Sequence, residues 1–235
     1  MKKVVLFDLY DTVLHEVSFR FDKGIAYLHR AFFENSCSFK EMTDYAATFL
    51  PLYEKRKRDF TEVCLMQDEV ALYFEKFGVK KPQSFQKLEY IVMNRIQQVA
   101  LTDEVRYTLN ELHQQGVSMY ILSNSIFTGA ANRKLLKSFD ILQYFKKVYV
   151  SADYGIRKPS AAFFQIAIGE ILSDHPGISR TDILYVGNDY VTDIQGAAAV
   201  GLDVTWLNVE HLPDDENIAA FDIDAFQSIL EIIKQ

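Results

Sequence analysis

Residues 4–12 read Val-Val-Leu-Phe-Asp-Leu-Tyr-Asp-Thr, and the fold turns on this stretch. Val4 to Phe7 is wholly apolar and half β-branched, the pattern of a strand buried on both faces of a parallel sheet. Asp8, Asp11 and Thr12 follow at once, so the chain passes from a core strand straight into an acidic loop. In open α/β sheets, the crevice outside the carboxyl ends of the strands is where ligands bind.

Similar strands recur further along. Met119 to Leu122 ends in Ser123-Asn124, and Val148 to Val150 ends in Ser151. Ile183 to Val186 ends in Gly187-Asn188-Asp189, and Val204 to Leu207 ends in Asn208. Helical stretches separate them. One is opened by Thr102, with Asp103 and Glu104 in its first turn, and stops at Gly116. Another runs from Ala161 to Leu172. Strand–helix alternation with crossovers of this length predicts a parallel sheet.

Between His15 and Val99 the period changes. Phe21, Ile25, Leu28 and Phe32 recur three to four positions apart, as do Val70, Phe74 and Phe77, and Phe85, Leu88, Ile91, Val92 and Ile96 continue the pattern. This is helical spacing. Pro51 and the segment from Gly78 to Pro82 divide the region into separate helices. The expected organisation is therefore an α/β core of residues 1–14 and 100–235, with a helical cap of residues 15–99 joined by two hinges just above the acidic loop. A module so placed can act as a lid. The aromatic residues of this region read as its core.

Length and charge narrow the classes. A chain of 235 residues can bury one α/β core and a smaller helical unit. With 49% apolar residues it is a folding sequence, and its formal charge of -7 weighs against a nucleic-acid partner. The basic run Lys55-Arg56-Lys57-Arg58 lies between Glu54 and Asp59 and reads as a solvated helix face, the alternative being a place near an anionic substrate. Cys37 and Cys64 are too few for a disulfide framework and lack metal-ligand spacing. The start, Met-Lys-Lys-Val-Val-Leu-Phe, is too short in apolar residues for a signal-peptide core, and no apolar run approaches the length of a membrane span. A soluble, cytoplasmic protein with no membrane partner is expected.

The polar residues that follow the strands should converge on one sheet edge. They are Asp8, Asp11 and Thr12; Ser123 and Asn124; Asn188, Asp189 and Asp193; and Lys158, which precedes a helix. Carboxylates crowded together raise one another's pKa unless a cation shares the site. Mg²⁺ is the natural partner, because it takes one or two carboxylates with waters and substrate oxygens. Lys158 adds a fixed positive charge, and Ser123 and Asn124 add hydrogen-bond donors. The predicted partner is a small anionic metabolite. His15, Arg20 and Lys23, at the start of the cap, are weaker candidates for substrate contact. Oligomeric state leaves no mark in the sequence.

In this order the motifs resemble those of the haloacid dehalogenase-like hydrolases, in the branch with a helical cap inserted after the first motif. Phe7-Asp8-Leu9-Tyr10-Asp11-Thr12 resembles the opening motif, whose first Asp is the nucleophile. Ile121-Leu122-Ser123-Asn124 resembles the second, whose hydroxyl holds the transferring group. Lys158-Pro159 resembles the third, and Gly187-Asn188-Asp189 with Asp193 the acidic, metal-binding fourth. The resemblance covers essentially the whole chain. It implies a Rossmann-like three-layer core around a central parallel sheet, with Asp8, Tyr10, Asp11, Thr12, Ser123, Asn124, Lys158 and Asp193 about the chemistry. The implied Mg²⁺ site is Asp8, the Tyr10 backbone carbonyl, Asn188 and Asp189, with Asp193 orienting Lys158.

The match departs from the family's phosphatases at two positions. Where they carry a second Asp as general acid and base, this chain has Tyr10, as the dehalogenase branch does; where they carry a metal-binding Asp, it has Asn188. The leading expectation is a Mg²⁺-dependent phosphatase acting on a small organic phosphate through an aspartyl-phosphate. The alternatives are a 2-haloacid dehalogenase-type hydrolase needing no metal, or a catalytically weakened binding or regulatory protein on the same fold. Tyr10 motivates the dehalogenase alternative, although that branch has a Ser-rich fourth motif where this chain keeps Asn188, Asp189 and Asp193; the double departure at Tyr10 and Asn188 motivates the last.

Overall fold

The computed structural model of the protein describes residues 2–234. The chain opens with strand β1 (Val4–Phe7), every residue of which is buried. It then enters strand β2 (His15–Phe19) and five helices: α1 (Phe21–Leu28), α2 (Phe39–Ala47), α3 (Leu50–Asp59), α4 (Ala71–Lys76) and α5 (Phe85–Ile96). Strand β3 (Gln97–Ala100) returns antiparallel to β2. Helix α6 (Asp103–Gln114) leads to β4 (Ser118–Ser123), α7 (Gly129–Ser138) and β5 (Phe145–Val150). The short α8 (Ser151–Tyr154), α9 (Ala161–Asp174), β6 (Ile183–Gly187), the short α10 (Gly196–Ala198), β7 (Asp203–Leu207), β8 (Phe221–Ile223) and α11 (Ile229–Ile232) complete it.

The main sheet has six strands in the order β5-β4-β1-β6-β7-β8, and all of its pairings are parallel. Strand residues alternate between its two faces. Val5 and Phe7 join Met119, Ile121, Leu184 and Val186 under α6, α7 and α11. Val4 and Leu6 join Tyr120, Leu122, Tyr185 and Trp206 under α9 and α10. The result is the expected three-layer α/β architecture, and it explains why β1 is apolar at every position. Each buried aliphatic side chain stabilises the fold by roughly 1.5–3 kcal/mol.

Capping follows local chemistry. The Thr102 side chain accepts from Val105 N at the head of α6, and Thr128 accepts from Ala131 N at the head of α7. Pro51 sits in the first turn of α3, where a missing N–H costs nothing. Helices α1 to α5 lie between β2 and β3, and the antiparallel pairing of those two strands brings the ends of the insertion together, His15 beside Ala100. The apolar cluster on the α6 face continues into the insertion through Ile25, Leu28, Val92 and Ile96. A second tie lies at Thr61, which bridges to Ile156, with Glu62 N donating to Gly155 O and Arg157 N to Phe60 O. Among the described residues, no helix is long and apolar enough to cross a membrane.

Candidate active site

Strand β1 lies between β4 and β6, so three strand ends meet where it stops. Asp8 is the first residue past β1, and its backbone N–H donates to Val186 O of β6 at 2.8 Å. Its side chain is only 9% exposed. Asp8 Oδ1 accepts from Lys158 Nζ at 2.5 Å. The same ammonium donates to Asp193 Oδ1 at 2.5 Å and to the Tyr185 hydroxyl at 3.0 Å. Tyr185 in turn donates to Asp193 Oδ1 at 2.7 Å. One buried cation thus holds two buried carboxylates.

Burial pushes the Asp8 carboxyl up to about 7; Lys158 opposes the shift and Asp193 adds to it. The Lys158 ammonium is itself raised: burial works against its charge, and the two carboxylates outweigh that. Asp193 can come so close because Gly187 has no side chain. A Cβ there would lie 2.5 Å from Asp193 Cγ. The other Asp193 oxygen accepts from Asp189 N at 3.1 Å. Asp193 is thereby committed on both oxygens, in the manner of a group that orients others.

The remaining candidates divide. Ser123, the last residue of β4, is fully buried, and its hydroxyl has no hydrogen-bond partner. A buried, unpaired hydroxyl at a strand end is what an incoming substrate oxygen would satisfy. Asn124 clasps the Lys158 backbone in both directions: its Oδ1 accepts from Lys158 N at 2.8 Å, and its Nδ2 donates to Lys158 O at 3.1 Å. The Thr12 hydroxyl donates to Asn188 Oδ1 at 3.3 Å, which brings the first and fourth motifs together. Trp206 Nε1 donates to Asn188 O at 2.9 Å and fixes that turn from β7.

Three residues face elsewhere. Asp11 lies in the left-handed region at φ 59, and its Oδ1 accepts from Glu16 N at 2.9 Å and meets His15 Nδ1 at 3.1 Å. That carboxylate caps the start of β2. Asp189 Oδ1 accepts from Thr192 N at 2.7 Å and caps the turn that follows it. The Tyr10 hydroxyl donates to Asn132 Oδ1 at 2.7 Å, in a buried network that Asn132 extends to Phe127 O and Thr128 O. Burial drives the Tyr10 pKa far above its ordinary value. At neutral pH, Tyr10 is no general base.

For a divalent cation the donor set is lean. Among the described residues, no three His, Cys, Asp or Glu side chains gather as ligands. Hard oxygens are nonetheless present on neighbouring strand ends: the Asp8 carboxylate, the Asn188 amide, and backbone carbonyls of the 8–12 loop. Mg²⁺ uses few protein ligands and keeps its waters, so the set fits it. The raised Asp8 carboxyl is a negative charge that such a cation would stabilise.

Sequence reading passed over several participants. Tyr185 sits inside an apolar strand and carries no motif. Glu62, Arg56 and Arg157 line a cleft of about 190 Å³ between the helical insertion and the core, together with Tyr10, Asn124 and Ser125. Arg56 belongs to the run read as a solvated face, with a place near an anionic substrate as the alternative; its side chain is 21% exposed and bound to Glu62 at 2.9 Å. Arg20 pairs with its neighbour Asp22 in the open.

Comparison with known proteins gives a consistent picture. The model of the haloacid dehalogenase-like hydrolase family matches residues 2–201. The chain is similar to the putative HAD-hydrolase YfnB of Bacillus subtilis, at 25% identity over 98% of this chain and 95% of that protein. It is similar to the pyrimidine 5'-nucleotidase PynA of Streptococcus pneumoniae, at 24% identity over 98% of this chain and 94% of that one. Among solved structures, the 2-haloacid dehalogenase of Pseudomonas syringae pv. Tomato DC3000 superposes with a TM-score of 0.71 at 19% identity, over 100% of this chain and 99% of that one. This last likeness is one of fold alone.

Proposed function

The chain belongs to the haloacid dehalogenase-like hydrolase family, and from that premise we propose that it is a Mg²⁺-dependent phosphatase of a small organic phosphate. The observation that carries this reading is the unpaired, buried Ser123 hydroxyl at the end of β4, the strand that pairs with β1, which delivers Asp8 to Lys158. Together they form an oxyanion-binding strand end facing a nucleophile. Relatives named as nucleotidases favour the same reaction class.

In this mechanism a phosphoryl oxygen takes the Ser123 hydroxyl as donor, and Lys158 keeps Asp8 Oδ1 fixed. Asp8 Oδ2 attacks phosphorus, the bond to the ester oxygen breaks with its electron pair going to that oxygen, which leaves as the alkoxide or phenolate and takes its proton from solvent, and an aspartyl-phosphate results. Water then attacks that phosphorus and returns Asp8 as a carboxylate with release of phosphate. Asp193 and Tyr185 hold the Lys158 ammonium in place through both steps. When bound by Asp8, the Tyr10 carbonyl and Asn188, Mg²⁺ would neutralise phosphoryl charge. Asp189 is the remaining candidate ligand. The helical insertion, residues 15–99, forms the cap over the core of residues 1–14 and 100–235.

Tyr10 favours a second reading. With its hydroxyl committed to Asn132, no carboxylic acid stands where leaving-group protonation is needed. A halide leaving group needs none, so attack of Asp8 on a halogenated carbon of a 2-haloacid is the alternative. One experiment separates the two. The phosphatase reading expects p-nitrophenyl phosphate hydrolysis that EDTA abolishes. Release of halide from a 2-haloacid in EDTA, with no phosphate release under any condition, would replace it. Absence of both reactions leaves the catalytically weakened binding protein.

A further inference from the structure

Glu62 is a buried carboxylate shared by two arginines. Its Oε1 accepts from Arg56 Nη1 at 2.9 Å and from Val63 N at 3.0 Å, and its Oε2 accepts from Ser151 Oγ at 2.8 Å. Arg157 Nε stands 3.9 Å from Oε2, too far for a hydrogen bond. Arg157 is 17% exposed at the side chain, and its Nη1 is buried without a partner, as is Arg56 Nε. Both arginines line the cleft between insertion and core. The other acidic residues of the cleft are already engaged: Asp11 by Glu16 N and His15, and Glu16 by Gln97 Nε2 at 2.5 Å. A buried guanidinium N–H at the wall of a cleft, with no acceptor in the protein, is a costly arrangement unless water or a ligand accepts from it.

Its position matters equally. Arg157 adjoins Lys158 in the chain. Lys158 turns inward to Asp8, while Arg157 faces the cleft. The backbone here is pinned from the insertion by Arg157 N donating to Phe60 O and Glu62 N donating to Gly155 O. Glu62 is also linked to the residue that follows the second motif: Ser151, which donates to it, accepts from Ser125 N at 2.9 Å. The arginine pair is therefore held in register with the nucleophile.

We propose that Arg157, supported by Arg56 and Glu62, is a specificity-determining residue that binds a second oxyanion of the substrate, a carboxylate or phosphate carried on the alcohol side of the ester. The proposal rests on the phosphatase reading above and narrows it to organic phosphates with two anionic groups. At Glu62 itself, one carboxylate between two guanidiniums leaves one positive charge in excess, set against the Asp11 and Glu16 carboxylates elsewhere on the cleft wall, and the planar fork suits an oxyanion. Arg157 acts on ground-state binding and on orientation of the ester; bond breaking stays with Asp8.

The test is calorimetric binding of three non-hydrolysable ligands in excess Mg²⁺, corrected for chelation: methylphosphonate, phosphonoacetate and phosphonoacetamide. Wild type is expected to bind phosphonoacetate about tenfold or more tighter than either of the others, the size of one charge-assisted contact. In Arg157→Gln that preference should fall by about tenfold relative to methylphosphonate measured on the same variant. In Arg157→Lys the preference for acid over amide should survive in part, because the charge remains. Equal binding of the three ligands to wild type, which needs no variant to fold, overturns the proposal. So does equal binding of acid and amide, which would make the subsite a reader of neutral acceptors. An undiminished preference in Arg157→Gln removes Arg157 from the subsite. Assay of p-nitrophenyl phosphate on wild type separates the two failures: hydrolysis without ligand preference sinks this inference alone, whereas neither hydrolysis nor phosphonate binding sinks both.

Discussion

Lys158 and Asp8 stand 150 positions apart in the chain and meet at 2.5 Å between Nζ and Oδ1. Lys158 is also the sole cation in contact with Asp193 among the described residues. In Lys158→Met the two carboxylates would be left buried without compensation. Removing one partner of a buried pair typically costs ~3–5 kcal/mol. Urea unfolding of Lys158→Met should show a loss of that size, and Asp8→Asn, which leaves Lys158 paired with Asp193, a clearly smaller one. A Lys158→Met protein within ~0.5 kcal/mol of wild type would mean the cluster is not the anchor its geometry implies.

Asp8→Asn should reduce phosphatase turnover to background while leaving the fold intact, because an amide oxygen cannot form the covalent intermediate. Retention of most of the wild-type kcat by the purified variant would take Asp8 out of the mechanism.

The sheet was legible because burial on both faces makes β1, β4, β6 and β7 largely apolar runs followed by polar residues; of the edge strand β5 only Val148 to Val150 was read, since Lys146 and Lys147 in its first half are exposed. Strands β2, β3 and β8 were not read. His-Glu-Val-Ser-Phe of β2 is half exposed and finds its partner only at residues 97–100, across the whole insertion. Strand β3 continues from α5 with no Gly or Pro between them. Strand β8 has three residues on the sheet edge. Of the site, the residues after apolar strands could be named, and the structure brings Asp8, Lys158 and Asp193 into contact and Thr12 against Asn188. What pairwise spacing cannot convey is which way a side chain turns. Asp11 and Asp189 proved to be engaged as caps, and Tyr185 and Glu62 gain their roles partly through Lys158 and Ser151, 27 and 89 positions away.

Asn188 offers a neutral amide oxygen, already shared with Thr12, where a carboxylate would bind Mg²⁺ more strongly. Asn188→Asp should therefore tighten Mg²⁺ binding and enlarge the rise in Tm that Mg²⁺ produces by mass action. Calorimetric titration of both proteins checks this. An unchanged Mg²⁺ affinity would place the metal away from the turn at Gly187 to Asp189.

Glu89 of α5 is a latch between insertion and core. Its carboxylate accepts from Thr128 N and Thr128 Oγ1, both at 2.7 Å, at the head of α7. Burial raises its pKa, and the two Thr128 hydrogen bonds only partly counter that. A carboxyl raised on folding binds more protons in the folded state, so its contribution is full below the ordinary glutamate value, near 4.3, and is lost as pH rises through the raised one. Glu89→Gln has no such titration. The stability of wild type relative to Glu89→Gln should thus fall as pH rises from the ordinary glutamate value through the raised one. A difference that stays flat or grows across that range would show that the carboxylate is better stabilised folded than unfolded.

Tyr10 limits what the site can do with a poor leaving group. Its hydroxyl is held by Asn132 and stays protonated, and the neighbouring Asp11 carboxylate is turned to Glu16 N. Activity should accordingly be measurable on p-nitrophenyl phosphate, whose leaving group needs little proton donation, and much poorer on alkyl phosphates. Tyr10→Asp puts a carboxylic acid at the chain position where the family's phosphatases carry theirs, at the expense of leaving Asn132 Oδ1 without its donor, a loss of roughly 1–3 kcal/mol in stability. Adding Asp11→Gly removes a second carboxylate that would repel the new one, and the left-handed backbone at φ 59 accepts glycine readily. General acid catalysis is commonly worth ~10²–10⁴-fold, so the double variant should raise kcat/KM on an alkyl phosphate by at least ~10-fold while changing p-nitrophenyl phosphate far less. Both constants should be measured on both proteins at saturating Mg²⁺. If wild type already cleaves an alkyl phosphate at about 10⁴ M⁻¹s⁻¹ or faster, an ordinary enzyme value, another group is supplying the proton and Tyr10 is no impediment.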